Sequence, residues 1–533
     1  MELSYRDSSA GNGEFFRKYP EVVVLTVLVG FYLFLANYFA WSVTFQGGFF
    51  TTSGGSDPYY NWINILHVIQ TGHWLSFDPT LNYPVGSVNP RTPFFHMLVV
   101  FIAVVMSPFM NITSAALLTF EELDAFFGAL LIIPVYLIGK EVFGKKGGMV
   151  AALLYTLMPS NISAGYLSDG RIHTPELIFV LFAIYFFERT IVTANKGKIV
   201  DKLYPPTRIL SSIYNYYKQN RLATIYALFA GASLGALMLS WQGYAYAVVI
   251  LLLYVIIQYI INLFLKRPSD YLVYATAITV LLGFFLGAYY YIGIGNYSIW
   301  FTPVLLLSIL VILMGFVFMA IRSRPWIISV PVIAILGAAL LAALAIFDKS
   351  SFNTLISGDG YFIKTRVYQT IAEAASLPLG QYISGFGVFE FVLGMGGVAY
   401  AIYMYFKEKK DSMFFVLVFS LVSIYMSFEA ARFNITAAPA YAILGAGLLM
   451  YFAHLVKLYD LKKRSGAPSA SVRKAIKGNI SWVHIVFVFI IVALLIVPSG
   501  LGVISSSIPR TNSKTPKPEI YCPRGSEAAS AIV

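Results

Sequence analysis

The sequence predicts an all-α polytopic membrane protein with about thirteen transmembrane helices, and three observations lead there. Of its 533 residues, 58% are hydrophobic and only 12% charged, whereas a soluble domain carries about a quarter charged residues. A mean hydropathy of +0.73 describes a chain whose main solvent is lipid. The apolar residues fall into runs that can cross about 30 Å of hydrocarbon. Lys and Arg, finally, concentrate in alternate connections between those runs, as cytoplasmic loops require.

Residues 1–20 hold Arg6, Arg17 and Lys18 and form a cytoplasmic N-terminus. The first span, 21–45, is too long for a cleaved signal and lacks a small-residue cleavage site. It delivers the chain to an outer segment, 46–122, in which the shorter apolar run 93–109 lies flat or half-inserted. Spans 123–143 and 147–163 follow around the inner Lys140, Lys145 and Lys146. The remaining spans are 175–190, 222–240, 243–265, 271–293, 299–321, 326–347, 386–406, 413–429, 435–456 and 482–503. This order puts 27 of the 37 Lys and Arg residues inside and leaves the C-terminus outside, with large first and fifth outer loops at 46–122 and 348–385. Making 93–109 a span in place of 147–163 would move those three lysines outside, so that order is the weaker one.

The net charge of +12 is thereby accounted for by topology, and nucleic acid is not expected as a partner. The single cysteine, Cys522, excludes an internal disulfide and a Cys-rich zinc site. A metal would need oxygen or imidazole ligands.

The chemistry-bearing residues collect on outer segments. Asp57 opens Asp-Pro-Tyr-Tyr after a Gly-rich stretch, where it either caps a helix or serves as a partly desolvated carboxylate. Tyr83 begins Tyr-Pro-Val-Gly, and Arg91 lies in Asn-Pro-Arg-Thr-Pro. In Asp169-Gly-Arg-Ile-His173-Thr-Pro-Glu176, a helix beginning near Asp169 would put Asp169, His173 and Glu176 on one face, a half-shell for a cation. Pro175 favours a later helix start, and capping is the rival role for Asp169. Loop 348–385 carries Thr370-Ile-Ala-Glu373 and exceeds what a simple connection needs. Arg432 follows Glu429 at the outer end of a span, either paired with that acid or poised for a ligand. Carboxylates from separate loops plus one arginine suit a divalent cation and a lipid-borne phosphate.

These motifs, in this order and topology, resemble the catalytic subunit of oligosaccharyltransferase in its archaeal or bacterial single-subunit form. The resemblance implies a transmembrane glycosyltransferase domain over 21–505 and a short outer tail, 506–533. It makes Asp57 and Glu373 catalytic, gives Asp57, Asp169, His173 and Glu373 to Mg²⁺ or Mn²⁺, and gives Arg432 to the phosphate of the lipid-linked glycan. Thr370, Trp241 of Trp-Gln-Gly-Tyr, Tyr83 and Arg91 would line the substrate groove. Asp169-Gly-Arg-Ile-His173 departs from the family's adjacent Asp-x-Asp or Asp-His-His pattern, and the Trp-Trp-Asp-Tyr-Gly motif of the family's soluble C-terminal domain does not occur. The tail is therefore expected to be the start of a missing or truncated domain that a separate chain could supply.

The implied reaction moves a glycan from a polyprenyl or dolichyl phosphate or diphosphate to the asparagine amide of an Asn-x-Ser/Thr polypeptide, with inversion, at the outer face of an archaeal plasma membrane. Its partners are the lipid-linked oligosaccharide, the acceptor polypeptide and membrane lipid. Rival readings are an O-mannosyl or lipid-modifying transferase using the same carriers, a transporter, and a pseudoenzyme or fragment that needs a partner chain.

Overall fold

The structure is a computed structural model that describes residues 20–47, 56–199, 206–293, 298–321, 324, 326–347, 349, 352–353, 364, 371–456 and 481–494. Its helices are α1 (Pro20–Gly47), α2 (Asp57–Thr71), α3 (Phe94–Met106), α4 (Ile112–Leu130), α5 (Ile132–Thr156), α6 (Pro159–Ile162), α7 (His173–Thr193), α8 (Pro206–Gln219) and α9 (Arg221–Ser240). They continue as α10 (Ala245–Phe264), α11 (Asp270–Gly293), α12 (Ser298–Ile321), α13 (Trp326–Phe347), α14 (Leu379–Phe386), α15 (Val388–Glu408), α16 (Asp411–Glu429), α17 (Asn434–Leu455) and α18 (Trp482–Leu494). Among the described residues, nine helical stretches are long and apolar enough to cross a membrane. The protein is a multi-pass integral membrane protein. The expected tail 506–533 lies outside the described residues.

Each long helix has its cause in the sequence. Leu131 keeps helical angles, so α4 runs on through α5 as far as Gly144, where φ 75° and ψ 177° break it. That conformation is open to glycine and costly for other residues. The chain turns back there, and the two arms pack closely enough that a Cβ on Gly148 would stand 2.6 Å from the Tyr136 carbonyl oxygen. The spans expected at 123–143 and 147–163 are this hairpin. Helix α3, with 13 residues, reaches only about 20 Å and is too short to cross a bilayer.

Lipid gives helices little hydrophobic reason to associate, so close backbone approach between small residues takes over. Helices α15 and α17 meet in this way, with a Cβ on Gly397 falling 3.0 Å from the Gly445 amide nitrogen. Helices α9 and α11 meet similarly through Gly235 and Gly283, against Leu286 and Leu234. The inner face of the bundle is apolar and aromatic, with Tyr155, Tyr244, Tyr254 and Tyr441 fully buried.

Polar contacts collect at two ends. One end joins Glu21 to Lys145 at 2.8 Å, Glu141 to Arg189 at 2.7 Å and Asp411 to Lys196 at 2.6 Å. These residues border the segments that the charge asymmetry assigns to the inside. The opposite end gathers α2, the 163–172 loop, the start of α7, residues 371–376 and the short turn Ala431–Phe433. A two-stranded hairpin there, β1 (Phe77–Asp78) against β2 (Ser87–Val88), is tied to α2 by the Tyr60 hydroxyl donating to Asp78 at 3.1 Å.

Candidate active site

The 163–172 loop is the structural centre of that end. Ser168, Gly170 and Ile172 alternate into the left-handed region at φ 65°, 64° and 66°. Such angles are costly for a β-branched isoleucine and persist only where the surroundings over-determine them. Four hydrogen bonds from distant elements do so here. The Ser168 amide donates to the Glu121 carbonyl at 2.8 Å, and the Ile172 amide donates to the Asp124 carboxylate at 3.2 Å. Asn61 on α2 donates to the Gly170 carbonyl at 2.9 Å, and the Thr174 hydroxyl donates to the Asp124 carbonyl at 2.7 Å. Regular helix starts only at His173. The expected single helical face through Asp169, His173 and Glu176 is therefore not formed: the three left-handed residues break the 3.6-residue period before it begins.

Asp169 is fully buried and is held by Arg171, whose Nη2 lies 2.9 Å from one carboxylate oxygen while Nε spans both at 3.0 and 3.1 Å. Burial pushes the Asp169 carboxyl above its usual range, and the Arg171 charge and hydrogen bonds oppose that rise. Arg171 also faces Glu373 at 3.8 Å. Glu373 sits on the one-turn helix Ala372–Ala374, which docks on the turn carrying Arg432 through the Ala431 amide donating to the Ala375 carbonyl at 3.0 Å. Lys364 and Ser376 both donate to the Glu429 carbonyl at 3.0 Å and fasten the same contact.

Arg432 is a hub. Its guanidinium donates to Glu373 at 3.1 Å and to Glu176 at 3.4 Å, and it lies 4.6 Å above the Trp241 ring. Trp241 is free to reach it because α9 ends there in extended backbone, φ −155° and ψ 134°. His173, just outside the apolar run 175–190, stands 3.5 Å from Glu373 and 3.8 Å from Glu176. Contact with His173, with further help from Arg432 and Arg171, holds the Glu373 carboxyl down at about 2 against its burial. Burial and Arg432 both work against a charge on His173, yet its contacts with Glu176 and Glu373 raise it to about 8. His173, Glu176, Trp241, Tyr246, Arg432 and Thr436, among others, line a small, partly open cleft here.

Asp57 is the first residue of α2 rather than its cap, the cap position being Ser56. It pairs with Arg91 at 2.6 Å, and Arg91 is held in turn by Asn89 at its amide and by Tyr290 at its carbonyl. Pro58, its neighbour, packs beside Gly170, so Asp57 and Asp169 belong to adjoining segments. Tyr83 stands at the tip of the β1–β2 hairpin, 84% exposed. Thr370 lies outside the described residues.

Five of the expected residues thus gather at one end in direct contact or through one intermediary: Asp169, His173, Glu373, Arg432 and Trp241. Asp57 and Arg91 form a second pair alongside. One residue of the cluster, Arg171, is not among the expected site residues although it stands in the Asp169–Glu176 motif, and Glu176, expected only as part of a cation half-shell, instead meets Arg432. A further contributor, Asp124, holds residues 172–174 through its hydrogen bonds.

As a seat for a divalent cation, this arrangement does not fit. Among the described residues no group of three or more His, Asp or Glu side chains could hold a metal ion. Each of Asp57, Asp169 and Glu373 is turned instead toward a guanidinium.

Comparison with known proteins agrees with this architecture. Residues 22–497 match the family described as Oligosaccharyl transferase STT3, N-terminal. A similar sequence is dolichyl-phosphooligosaccharide-protein glycotransferase 3 of Archaeoglobus fulgidus, 27% identical over 44% of this chain and 25% of the relative. A similar structure is archaeal oligosaccharyltransferase AglB from A. fulgidus in complex with an inhibitory peptide and a dolichol-phosphate. It superposes with a TM-score of 0.77 at 20% identity, over 92% of this chain and 56% of that one. The A. fulgidus oligosaccharyltransferase in complex with Zn and sulfate gives 0.63 at 18% identity, over 91% and 53%. The chain thus spans about a quarter of that curated relative and about half of the solved proteins it resembles. With the family match covering most of the sequence, the chain belongs to the oligosaccharyl transferase STT3 family.

Proposed function

We propose that this chain forms the membrane-embedded catalytic portion of an oligosaccharyltransferase, which transfers a glycan from a polyprenyl or dolichyl phosphate or diphosphate to the asparagine amide of Asn-x-Ser/Thr. The observation that carries the reading is the contact of Glu373 with Arg432 at 3.1 Å, with Arg432 also lining a cleft together with Trp241 and His173. One group suits an acceptor amide and the other a phosphate. The names of the relatives and the dolichol-phosphate bound in the similar structure support it.

An amide nitrogen is a poor nucleophile because its lone pair is delocalised into the carbonyl. Carboxylates that accept from both N–H groups favour a twisted amide in which the lone pair is released. Glu373, held near 2, is an acceptor at any physiological pH, and Asp57 is the second acceptor. The nitrogen attacks the anomeric carbon as the bond from that carbon to the phosphate oxygen breaks, inverting the centre, and the proton the nitrogen sheds passes to the departing phosphate. Arg432 has five N–H donors and stabilises the charge developing on the leaving phosphate, an effect worth about 10²- to 10³-fold in rate. Thr370, Tyr83, Arg91 and Trp241 are assigned to the substrate groove on resemblance.

The family resemblance gives Asp57, Asp169, His173 and Glu373 to Mg²⁺ or Mn²⁺, and a similar structure was solved with Zn. The guanidinium pairing of these carboxylates stands against that assignment, and no step above passes through an ion. The reading further assigns the site to the outer face of an archaeal plasma membrane. It treats 21–505 as the transferase portion and 506–533 as leading to an acceptor-reading domain, which a separate chain can provide.

The test is transfer of lipid-linked glycan, extracted from host membranes, to a fluorescent Asn-x-Thr peptide by the purified chain in nanodiscs, with and without an added C-terminal domain. Transfer that is lost in Asp57→Ala and Glu373→Ala supports the reading. Absence of transfer under both conditions contradicts it.

A further inference from the structure

We infer that Arg171 is the resident cation of this site, its guanidinium standing between Asp169 and Glu373 where a divalent ion would otherwise bridge them. Its grip on Asp169 uses both Nε and Nη2 at 2.9 to 3.1 Å, a forked geometry that a flexible surface arginine rarely holds. Only a quarter of the side chain is exposed, and its partner Asp169 not at all. The backbone carrying it is fixed on both sides, by Asn61 on the Gly170 carbonyl and by Asp124 on the Ile172 amide. The guanidinium is thus placed by the left-handed turns of 168–172 rather than by chance rotation.

Charge balance points the same way. Asp169, Glu176 and Glu373 face Arg171 and Arg432, with His173 as a third cation when protonated. Asp169 is paired with Arg171 and Glu373 with Arg432, and the neighbouring Asp57 is paired with Arg91. A divalent ion inserted beside Asp169 and Glu373 would meet Arg171 at close range, and two such charges about 4 Å apart repel by several kcal/mol at the effective dielectric of a protein surface. Arg171 also approaches Glu373 at Oε1 while Arg432 holds Oε2. The two guanidiniums therefore flank one carboxylate, and both can donate to a phosphate arriving there.

The metal-binding arm of the test does not depend on the proposed function. Purified wild-type chain, Arg171→Gln and Arg171→Lys in nanodiscs are titrated with Mn²⁺, and free ion is read by electron paramagnetic resonance. The expected result is weak, non-stoichiometric binding by wild type and by Arg171→Lys, and a one-to-one site in Arg171→Gln that is tighter by about tenfold or more. A one-to-one site of equal affinity in wild type, which requires no substitution, overturns the inference, as does an unchanged affinity in folded Arg171→Gln. The activity arm rests on the proposed transfer: EDTA leaves the wild-type rate unchanged but abolishes that of Arg171→Gln, and Mn²⁺ restores it. Wild-type transfer that stops with EDTA overturns the inference even where glycan transfer itself is established.

Discussion

The two ends of the bundle hold their charges differently. At one end three acids each have one basic partner: Glu21 with Lys145, Glu141 with Arg189, Asp411 with Lys196. At the other, Glu373 is touched by His173, Arg171 and Arg432, and Arg432 is shared between Glu176 and Glu373. Separate pairs tie one helix end to another. A shared network has donors and acceptors that a ligand can take over by exchange, and it is assembled from three segments far apart in sequence: 171–176, Glu373 and Arg432. That difference, more than the number of charges at either end, is what the proposed function rests on.

The largest expected effect comes from breaking the network at its centre. Glu373→Gln removes the anion that faces three cations, and peptide glycosylation is expected to fall by about 10²- to 10³-fold, measured as single-turnover transfer on protein whose unfolding midpoint is checked. Next comes the scaffold beneath it. Asp124→Ala leaves the Ile172 amide without its acceptor in a buried loop, which costs about 1–3 kcal/mol. A thermal unfolding midpoint lowered by several degrees, with impaired transfer, is the expected outcome; an unchanged midpoint would show that the loop holds its shape without Asp124.

A smaller effect follows from pH. His173 is raised from 6.5 to about 8, so its attraction to Glu176 and Glu373 is fully present below pH 6.5 and is lost as pH rises through 8. The imidazole resonances should titrate near 8 in the wild type and return toward 6.5 in Glu373→Gln. Smallest of all is the control at the opposite end. Lys196 is half exposed, and Lys196→Ala is expected to cost about 1 kcal/mol or less and to leave transfer untouched.

Much of this was legible beforehand. Local motifs single out Asp169, His173, Glu373 and Arg432, which the structure gathers at one end, and the lysines beside Gly144 mark the hairpin there. What the sequence could not reveal was how the 168–172 loop is bent. Helical periodicity is a local rule, whereas Ser168 and Ile172 are forced left-handed by Glu121 and Asp124, nearly 50 residues away in the chain. Arg171 was overlooked for a related reason. A search for cation ligands looks for acids and imidazoles, and an arginine between them reads as background until its contacts place it on Asp169. Glu176 meets Arg432 across 256 positions, a pairing that only tertiary structure creates.

The most direct measurement of the central claim, that the networked end is where the lipid carrier is handled, is binding of a fluorescent polyprenyl phosphate to wild type, Arg432→Gln and Arg189→Gln in nanodiscs. The account predicts that Arg432→Gln weakens binding by about tenfold or more while Arg189→Gln binds like wild type. Equal binding by all three, or a loss confined to Arg189→Gln, would contradict it.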